Sequence, residues 1–329
     1  MIISRTPFRV SFFGGGTDYP AWFDDQKGAV LATTIDKYCY ITCRYLPPFF
    51  EHRSRIIYSK MEHVHKISEI QHPSAREVIK YLKIKDGLEI HHDGDLPART
   101  GLGSSSAFTV GLLNSLYALK GAMITKERLA KEAIYIEQEM CSENIGCQDQ
   151  VLASYGGFNF REFGGHDHLQ VKKVIVPQGR MDDLQNQLML YFTGFSRTAS
   201  DIAAHQIKNI PNKKKELSRI YQMTQHALEL LNGRNSLERF GRLLHESWRI
   251  KRELSDKIST PHIDQIYTAA REAGAVGGKL LGAGGGGFIL FFASLGQQKK
   301  IKEKLKKLLL VPFRFENSGS QIIFYSIGN

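Results

Sequence analysis

Apolar residues recur with two different periods along this chain, and the two periods separate predicted strands from predicted helices. Segments 1–12, 38–45 and 88–92 are rich in β-branched and aromatic residues, which is typical of strands. Within 104–120, apolar residues recur at helical spacing, so this segment is predicted to be a helix with one buried face. The same spacing in 126–141 predicts a second helix.

The second half of the chain also mixes the two patterns. Beyond a polar stretch at 177–187, the predicted elements are a strand at 188–192, helices at 198–209, 213–232, 235–257 and 261–273, a strand at 288–293, a helix at 297–309, and strands at 311–315 and 321–327. This mixture predicts an α+β protein in which helices cover antiparallel sheets. Because 329 residues exceed the usual size of one hydrophobic core, we expect two domains, 1–180 and 181–329.

Composition excludes several classes of protein. Hydrophobic residues make up 42% and charged residues 23% of the chain, as in ordinary soluble proteins. The N terminus lacks the apolar core of a signal peptide, and the longest apolar runs are too short to span a bilayer, so no membrane partner is expected. The four cysteines show no zinc-binding spacing, which favours reduced thiols and a cytoplasmic protein.

The net charge of +11 is carried in part by two lysine runs, 213–215 and 299–307. The second run has apolar residues on one face, which is typical of the solvated side of a packed helix. No basic patch interleaved with aromatic residues accompanies it, so no nucleic-acid partner is expected. A preference for small phosphorylated ligands explains the positive charge equally well.

The segment 96–113, LPARTGLGSSSAFTVGLL, places small residues directly before the helix predicted at 104–120. Gly101 and Gly103 let a ligand approach the backbone, and the serines that follow are expected to cap the helix. A helix N terminus with free amides suits a polyphosphate, although an ordinary loop with a serine cap is the alternative. The usual P-loop is excluded, because no GK[ST] follows the glycines. The candidate nucleotide-binding residues are Gly101, Leu102, Gly103, Ser104, Ser105 and Ser106.

Two further glycine clusters lie beside predicted strands. In the first, FFGGGTDY at 12–19, Asp18 follows the glycines and Arg9 lies in the preceding strand. A carboxylate accepts hydrogen bonds from two hydroxyls, as a sugar diol offers them, but a tight turn with Asp18 as turn former is an equal alternative. The other, KLLGAGGGGFILFF at 279–292, has four consecutive glycines, whose entropic cost favours a loop against which something packs closely over a wide hairpin bend.

Two acidic residues are candidates for chemistry. Asp149, in GCQDQ at 146–150, could activate or orient a hydroxyl nucleophile, or it could cap the helix that follows. Glu137 lies on the flank of the predicted helix 126–141, beside its apolar stripe, and could reach a cleft. Glu139 on the other flank is a rival, and a plain surface charge is the alternative for both.

Taken together, PFRVSFFGGGTDY, GLGSSSA and GAGGGG, with Asp149 between the second and third motifs, resemble the GHMP kinase superfamily over nearly the whole chain. The resemblance implies an N-terminal ATP-binding domain like ribosomal protein S5 domain 2 and a ferredoxin-like C-terminal domain, with ATP in the cleft between them. Within the superfamily, FFGGGTD and YFTGFSRTASDI at 191–202 resemble the heptose 7-phosphate kinases. Galactokinases have a Glu-His pair in place of Gly15 and Gly16, so we hypothesise that this chain has room for a bulkier sugar.

The resemblance also implies roles for individual residues. Asp149 matches the catalytic aspartate, and Arg9 matches the arginine that stabilises charge during transfer. Ser105 matches the serine that binds Mg²⁺, and Glu137 the glutamate associated with that metal. Asp18 matches the aspartate that binds sugar hydroxyls. The expected substrate-binding residues are Asp18, Gly15, Gly16, Thr17, Gly284, Gly285 and Arg197, the last as the candidate for the phosphate of the substrate.

The function implied by the resemblance is phosphorylation of the anomeric O1 of D-glycero-D-manno-heptose 7-phosphate, with ATP and Mg²⁺ as cofactors, for nucleotide-activated heptose synthesis. The expected partners are therefore ATP and a small sugar phosphate, and a homodimer is an open alternative. Two other functions stay open: a GHMP kinase of a non-phosphorylated sugar such as L-fucose or galactose, and a catalytically silent relative that binds sugar or nucleotide. A silent relative often lacks a reacting residue, whereas all the motif residues are present here.

Overall fold

Two β-sheets covered by helices organise the chain in a computed structural model that describes residues 1–164, 171–194 and 199–326. The strands are β1 (Ile2–Phe13), β2 (Gly28–Tyr45), β3 (Ser54–Ile57), β4 (Met61–Val64), β5 (Leu88–Gly94), β6 (Phe158–Phe163), β7 (Val171–Lys173), β8 (Leu188–Phe192), β9 (Gly277–Leu280), β10 (Phe288–Phe292), β11 (Leu309–Val311), β12 (Phe315–Glu316) and β13 (Gln321–Tyr325). The helices are α1 (Pro20–Phe23), α2 (Pro73–Tyr81), α3 (Ser104–Leu119), α4 (Lys126–Tyr135), α5 (Gln148–Tyr155), α6 (Gln178–Asn186), α7 (Ala199–Asn209), α8 (Lys214–Asn232), α9 (Glu238–Glu253), α10 (Pro261–Glu272) and α11 (Leu295–Lys304). A π-helical turn, Ile136–Met140, extends α4.

The long hairpin of β1 and β2 forms the centre of the first sheet, with Ile2 opposite Cys43 at one end and Phe13 opposite Leu31 at the other. The order is β13-β1-β2-β5-β3-β4, while β6 and β12 pair with other parts of β2, and β7 pairs with β6. Among the described strands of this sheet, only β3 and β5 pair in parallel. The second sheet is antiparallel, in the order β11-β8-β10-β9. The predicted α+β class is confirmed.

Helix α3 lies where the pattern predicts it, but the prediction of a single buried face is wrong. Every residue from Ser106 to Leu119 except Asn114 is buried. The helix packs on β1 and β2 and is covered by α2, α4 and α5. Because it is enclosed on all sides, small and apolar residues cover its whole circumference.

Residue 180 lies between β7, a strand of the first sheet, and β8, a strand of the second, but the expected division into 1–180 and 181–329 does not follow the sheets at the C-terminal end. The polar stretch predicted as the junction is helix α6, and its Leu184 is fully buried. At the C-terminal end, β12 pairs with β2 and β13 pairs with β1, so the last strands belong to the first sheet. This return covers an edge of β1 that would otherwise expose unpaired backbone groups.

Aromatic residues join the two halves of the chain in one core. The ring of Phe240, in α9, lies 5.7 Å from Phe12 and 5.1 Å from Phe13, measured between ring centroids. The end of β1, which leads into the first glycine cluster, is therefore fixed against the second half of the chain. None of the helices in the described part of the chain is long and apolar enough to cross a membrane.

Candidate active site

The loop after β1, residues 14–18, is called the first glycine loop and is folded tightly against the start of β2. Gly14 has φ +92°, and a Cβ atom there would lie 1.8 Å from the carbonyl oxygen of Ala29. The Thr17 hydroxyl donates to the carbonyl oxygens of Gly14 and Ala29 at 2.8 and 3.0 Å. These contacts hold Asp18 beside the end of β1.

Asp18 is held in place by hydrogen bonds to both of its carboxylate oxygens. Oδ1 accepts from the backbone amide of Gly16 at 2.9 Å, and Oδ2 accepts from the side-chain amide of Gln148 at 2.7 Å. Burial raises the pKa of Asp18, and these two hydrogen bonds oppose that rise. Its predicted contact with sugar hydroxyls stays a prediction, because the side chain is enclosed by protein and both oxygens already have partners.

Arg9 and Asp149 form a bidentate ion pair at the centre of the site. Arg9 Nε donates to Asp149 Oδ1 at 2.7 Å and Nη2 donates to Oδ2 at 2.8 Å, while Nη1 donates to the Gly101 carbonyl oxygen at 2.5 Å. Asp149 lies in the first turn of α5, but no side chain caps that helix, so the alternative role as a cap is wrong. The Arg9 side chain is 5% exposed and that of Asp149 is 23% exposed, so a ligand can reach the aspartate.

The N terminus of α3 lies directly against this ion pair. A Cβ atom on Gly103 would lie 3.2 Å from Cγ of Arg9 and 3.4 Å from Oδ2 of Asp149. Gly103 itself is the N-cap, with φ +75°, and no side chain caps the helix. The predicted serine cap is therefore wrong, because the chain enters the helix in a left-handed conformation that favours glycine.

The three serines at this helix start have different surroundings. The Ser104 hydroxyl accepts a hydrogen bond from the backbone amide of Arg99 at 3.1 Å. Ser105 is exposed, whereas Ser106 is buried and donates to Glu137 at 2.8 Å. With no side chain bound to them as a cap, the amides of the first turn suit an anion, and the exposed Ser105 hydroxyl lies beside them.

Glu137 lies beneath α3, in the π-helical turn after α4, and is 0% exposed. Its carboxylate accepts hydrogen bonds from the Thr109 hydroxyl at 2.6 Å, the Ser106 hydroxyl at 2.8 Å and the Gln150 side chain at 2.5 Å. Burial raises the pKa of Glu137 to about 7, although the three donors oppose this rise. The carboxylate therefore ties α3, α5 and the end of α4 together.

The implied Mg²⁺ site fits the described residues only in part. Mg²⁺ requires hard oxygen ligands in an open octahedral arrangement, commonly one or two carboxylates together with substrate phosphates and water. The exposed Ser105 hydroxyl fits that requirement, but Glu137 offers a metal ion no exposed oxygen. No group of three or more His, Cys, Asp or Glu residues in the described part of the chain could hold a metal ion. The pairing of Ser105 with Glu137 as metal ligands stays a prediction, in which the burial of Glu137 leaves Ser105 as the exposed donor.

Residues 281–287 contain the third glycine motif and are called the third glycine loop. They pack against the backbone before α3. A Cβ atom on Gly101 would lie 2.4 Å from the Leu281 carbonyl oxygen, and one on Gly287 would lie 2.2 Å from that of Thr100. The expected close packing is therefore confirmed, and the chain's own backbone provides it.

Further along the same loop, Gly284 and Gly285 contact a segment of the second half. A Cβ atom on Gly284 would lie 2.7 Å from Cα of Ile258, and the Gly285 amide donates to the Ile258 carbonyl oxygen at 2.9 Å. Glycine is required at 284 by this backbone contact, whether or not a ligand is bound. The predicted contact of both residues with substrate stays a prediction.

Two buried lysines that sequence reasoning missed complete the site. Lys251 of α9 donates to the Gly282 carbonyl oxygen at 2.9 Å, and Lys279 of β9 donates to that of Phe12 at 3.0 Å. Burial lowers the pKa of both, that of Lys251 to about 8. A signal for Lys251 was available, since it continues the buried stripe of α9 at helical spacing, where an apolar residue is expected.

The structure brings Arg9 and Asp149 together beside the backbone of 101–103, and Asp18 accepts a hydrogen bond from Gln148, the residue before Asp149, as the sequence motifs predict. Gly15 and Gly16 belong to the same site. Gly15 lies next to Lys251, and Gly16 lies next to two leucines of the second half of the chain. Arg197, predicted to bind the phosphate of the substrate, lies outside the described residues.

Comparison with known proteins identifies the class to which this site belongs. The family model for the GHMP kinases N terminal domain matches residues 71–157, and the model for the GHMP kinases C terminal region matches residues 226–309. The chain belongs to the GHMP kinases, and its two-domain fold is that of the family. It is accordingly a kinase, and the kinases of this family use ATP.

Individual relatives and solved structures can also be compared with this chain. The chain is 29% identical to the D-glycero-alpha-D-manno-heptose 7-phosphate kinase of Campylobacter jejuni, over 93% of each chain. It is 25% identical to the bifunctional fucokinase/GDP-fucose pyrophosphorylase of Arabidopsis thaliana, over 92% of this chain and 31% of that protein. A solved D-glycero-D-manno-heptose 1-phosphate kinase from Bacteriodes thetaiotaomicron superposes with a TM-score of 0.79 at 23% identity, over the full length of both chains. Galactokinase from Lactococcus lactis superposes with a TM-score of 0.74 at 16% identity, over 97% of this chain and 94% of that one.

Proposed function

We propose that this enzyme transfers the γ-phosphoryl group of ATP to the anomeric O1 of D-glycero-D-manno-heptose 7-phosphate. The observation that carries the proposal is the bidentate Arg9–Asp149 pair lying against the uncapped N terminus of α3. The similarity to the heptose 7-phosphate kinase of Campylobacter jejuni supports this choice of acceptor. The net charge of +11 also favours an anionic acceptor over a neutral sugar.

In this proposal the start of α3 binds the phosphates of ATP and Asp149 faces the acceptor hydroxyl. The O1 oxygen forms a bond to the γ-phosphorus while the bond from that phosphorus to the β–γ bridging oxygen breaks. Asp149 orients the hydroxyl and accepts its proton, and Arg9 fixes the carboxylate and stabilises the negative charge on the transferring group. Mg²⁺ would neutralise phosphate charge when bound, with the exposed Ser105 hydroxyl as its protein donor.

The proposal also covers the binding of the substrate's phosphate, the use of the product, the cellular compartment and the oligomeric state. Arg197 is the proposed partner of the 7-phosphate, so Arg197→Ala should raise KM for the phosphorylated sugar. The product would enter nucleotide-activated heptose synthesis. The enzyme would work in the cytoplasm, where ATP is made and where its four free cysteines stay reduced. The homodimer remains a prediction.

The test is an ATP turnover assay with a panel of acceptors: D-glycero-D-manno-heptose 7-phosphate, the same heptose without phosphate, galactose, L-fucose and mevalonate. We expect kcat/KM to be highest for the heptose 7-phosphate, and phosphorus NMR of the product to show a new anomeric phosphate ester. Faster turnover of galactose, L-fucose or the heptose without phosphate would favour a kinase of a non-phosphorylated sugar. Absence of turnover with every acceptor would favour the catalytically silent relative.

A further inference from the structure

Lys251 connects two parts of the site that lie far apart in the sequence. Its ammonium donates to the carbonyl oxygen of Gly282, in the third glycine loop, at 2.9 Å. A Cβ atom on Gly15, in the first glycine loop, would lie 3.1 Å from the same Nζ atom. The space left by the missing side chain of Gly15 is therefore occupied by this ammonium, and the hypothesis that the space admits a bulkier sugar is not supported at this position.

Lys251 lies among two carboxylates and two other cationic groups, and, in the described part of the chain, only one of the carboxylates has a cationic hydrogen-bond partner. The charged groups of other elements that act on it electrostatically are Asp18, Asp149, Arg9 and Lys279. Arg9 already binds Asp149 through two hydrogen bonds. Asp18 is therefore the carboxylate left to balance the buried ammonium, and such a charge is costly to bury without a partner of opposite sign.

Asp18 needs this partner for the same reason. Asp18 is 3% exposed, and among the described residues the hydrogen-bond donors to its carboxylate are neutral amides, those of Gly16 and Gln148. A buried carboxylate with neutral donors retains its charge poorly, because burial disfavours the ionised form. The positive charge of Lys251 favours the ionised form of Asp18.

We propose that Lys251 is a positioning residue of the active site, which balances the charge of Asp18 and, through Gly282, holds the first and third glycine loops together. This inference rests on the proposed kinase activity but not on the identity of the sugar. Lys251 acts through Asp18 and the loops. Its loss should therefore lower kcat and raise KM for the acceptor, with ATP binding at α3 less affected.

A double-mutant cycle of Lys251→Met and Asp18→Asn tests the charge balance. Turnover is measured with whichever acceptor the wild-type enzyme phosphorylates fastest, so a wrong choice of sugar does not affect the result. We expect Lys251→Met to lower kcat by about 10²-fold, as small misplacements in active sites do. Because the two residues act as a pair, the double variant should be no slower than the slower single variant. Losses that multiply across the cycle would overturn the proposal.

The same cycle measured as unfolding Tm needs no substrate, so it separates failure of this inference from failure of the proposed function. Asp18→Asn should recover part of the Tm lost in Lys251→Met, because it removes the carboxylate left without a partner. A Tm loss in the double variant equal to the sum of the single losses would contradict the charge balance. Lys208→Met, which removes an exposed lysine of α7, is the matched control and should leave both kcat and Tm unchanged.

Two further measurements keep the inference testable if Lys251→Met does not fold. Burial lowers the pKa of Lys251 to about 8, so wild-type kcat should fall as pH rises above this value, when the ammonium loses its proton. Lys251→Arg, which keeps its charge, should lack this alkaline limb. Gly15→Ala displaces Nζ by a few tenths of an ångström and should lower kcat while the circular dichroism spectrum stays unchanged. An alkaline limb that persists in Lys251→Arg, or unchanged kcat in Gly15→Ala, would overturn the proposal.

Discussion

At the scale of single residues, both carboxylate oxygens of Asp149 receive hydrogen bonds from one guanidinium, that of Arg9. Asp149→Asn keeps the shape of the side chain but replaces an accepting oxygen by a donating amide, which faces a guanidinium that can only donate. We expect kcat to fall by about 10²–10⁴-fold, the usual contribution of a general base. Steady-state turnover at saturating ATP and acceptor measures the loss.

The control for this variant is Asp25→Asn, which changes an exposed aspartate after α1. It should leave kcat unchanged. Near-normal turnover of Asp149→Asn, with the protein folded, would remove Asp149 from the mechanism and leave alignment by α3 as the source of catalysis.

Glu137 should make stability depend on pH. Burial raises its pKa from 4.5 to about 7, so the folded protein holds this proton in a pH range where the unfolded chain has lost it. Its contribution to the free energy of unfolding therefore falls as pH rises from about 4.5 to about 7, by on the order of 3 kcal/mol at most. Glu137→Gln carries no titrating group, so its unfolding free energy should change less over this range. Denaturant unfolding at a series of pH values measures the difference.

The matched control is Glu139→Gln, an exposed neighbour in the same π-helical turn. It should leave the pH dependence of the wild type unchanged. The raised pKa of Asp18 acts in the same direction and persists in both variants, so only the difference between variant and wild type is informative. Identical pH profiles for Glu137→Gln and the wild type would contradict the assignment.

At the scale of elements, Gly101 is needed for two separable reasons, and Gly121 offers a control for one of them. Both have positive φ, +82° and +71°, but a Cβ atom on Gly101 would lie 2.4 Å from the Leu281 carbonyl oxygen, whereas nothing lies within 4 Å of one on Gly121. Gly121→Ala should therefore lose only the conformational preference, about 1–2 kcal/mol. Gly101→Ala should lose more, and it should also weaken ATP binding because the entry to α3 must move.

Thermal unfolding and nucleotide titration of the two variants measure these effects. Equal losses of stability would show that the contact between the loop before α3 and the third glycine loop contributes nothing. Normal ATP affinity in Gly101→Ala would contradict phosphate binding at the start of α3.

Elements and motifs were predictable from the sequence where short-range patterns decide them. The apolar spacing located α3 and β8, and the first motif brought Arg9 and Asp18 to one site. The burial of α3 on all sides and the glycine N-cap were not predictable, because both depend on what packs around the helix. The spacing of α9 marks Lys251 as a residue of the buried face, but its partners could not be predicted, because they lie on distant segments of the chain.

At the scale of the whole molecule, long-range packing also explains why the place of the last two strands could not be predicted. No local pattern shows that β12 and β13 return to the first sheet to pair with β2 and β1. The ring of Phe240 contacts those of Phe12 and Phe13, so the second half of the chain contributes to the core beneath the first sheet. These contacts predict that the two halves unfold together.

Phe240→Ala tests this coupling. Phe240 is 0% exposed, and truncation of a buried phenylalanine typically costs about 3–5 kcal/mol. Differential scanning calorimetry should show one transition for the wild type and one transition at lower Tm for the variant, because the lost contacts belong to both halves. Phe49→Ala, at a position that is 88% exposed, is the control and should leave Tm unchanged. Two transitions, of which Phe240→Ala shifts only one, would show that the halves unfold independently despite the shared core.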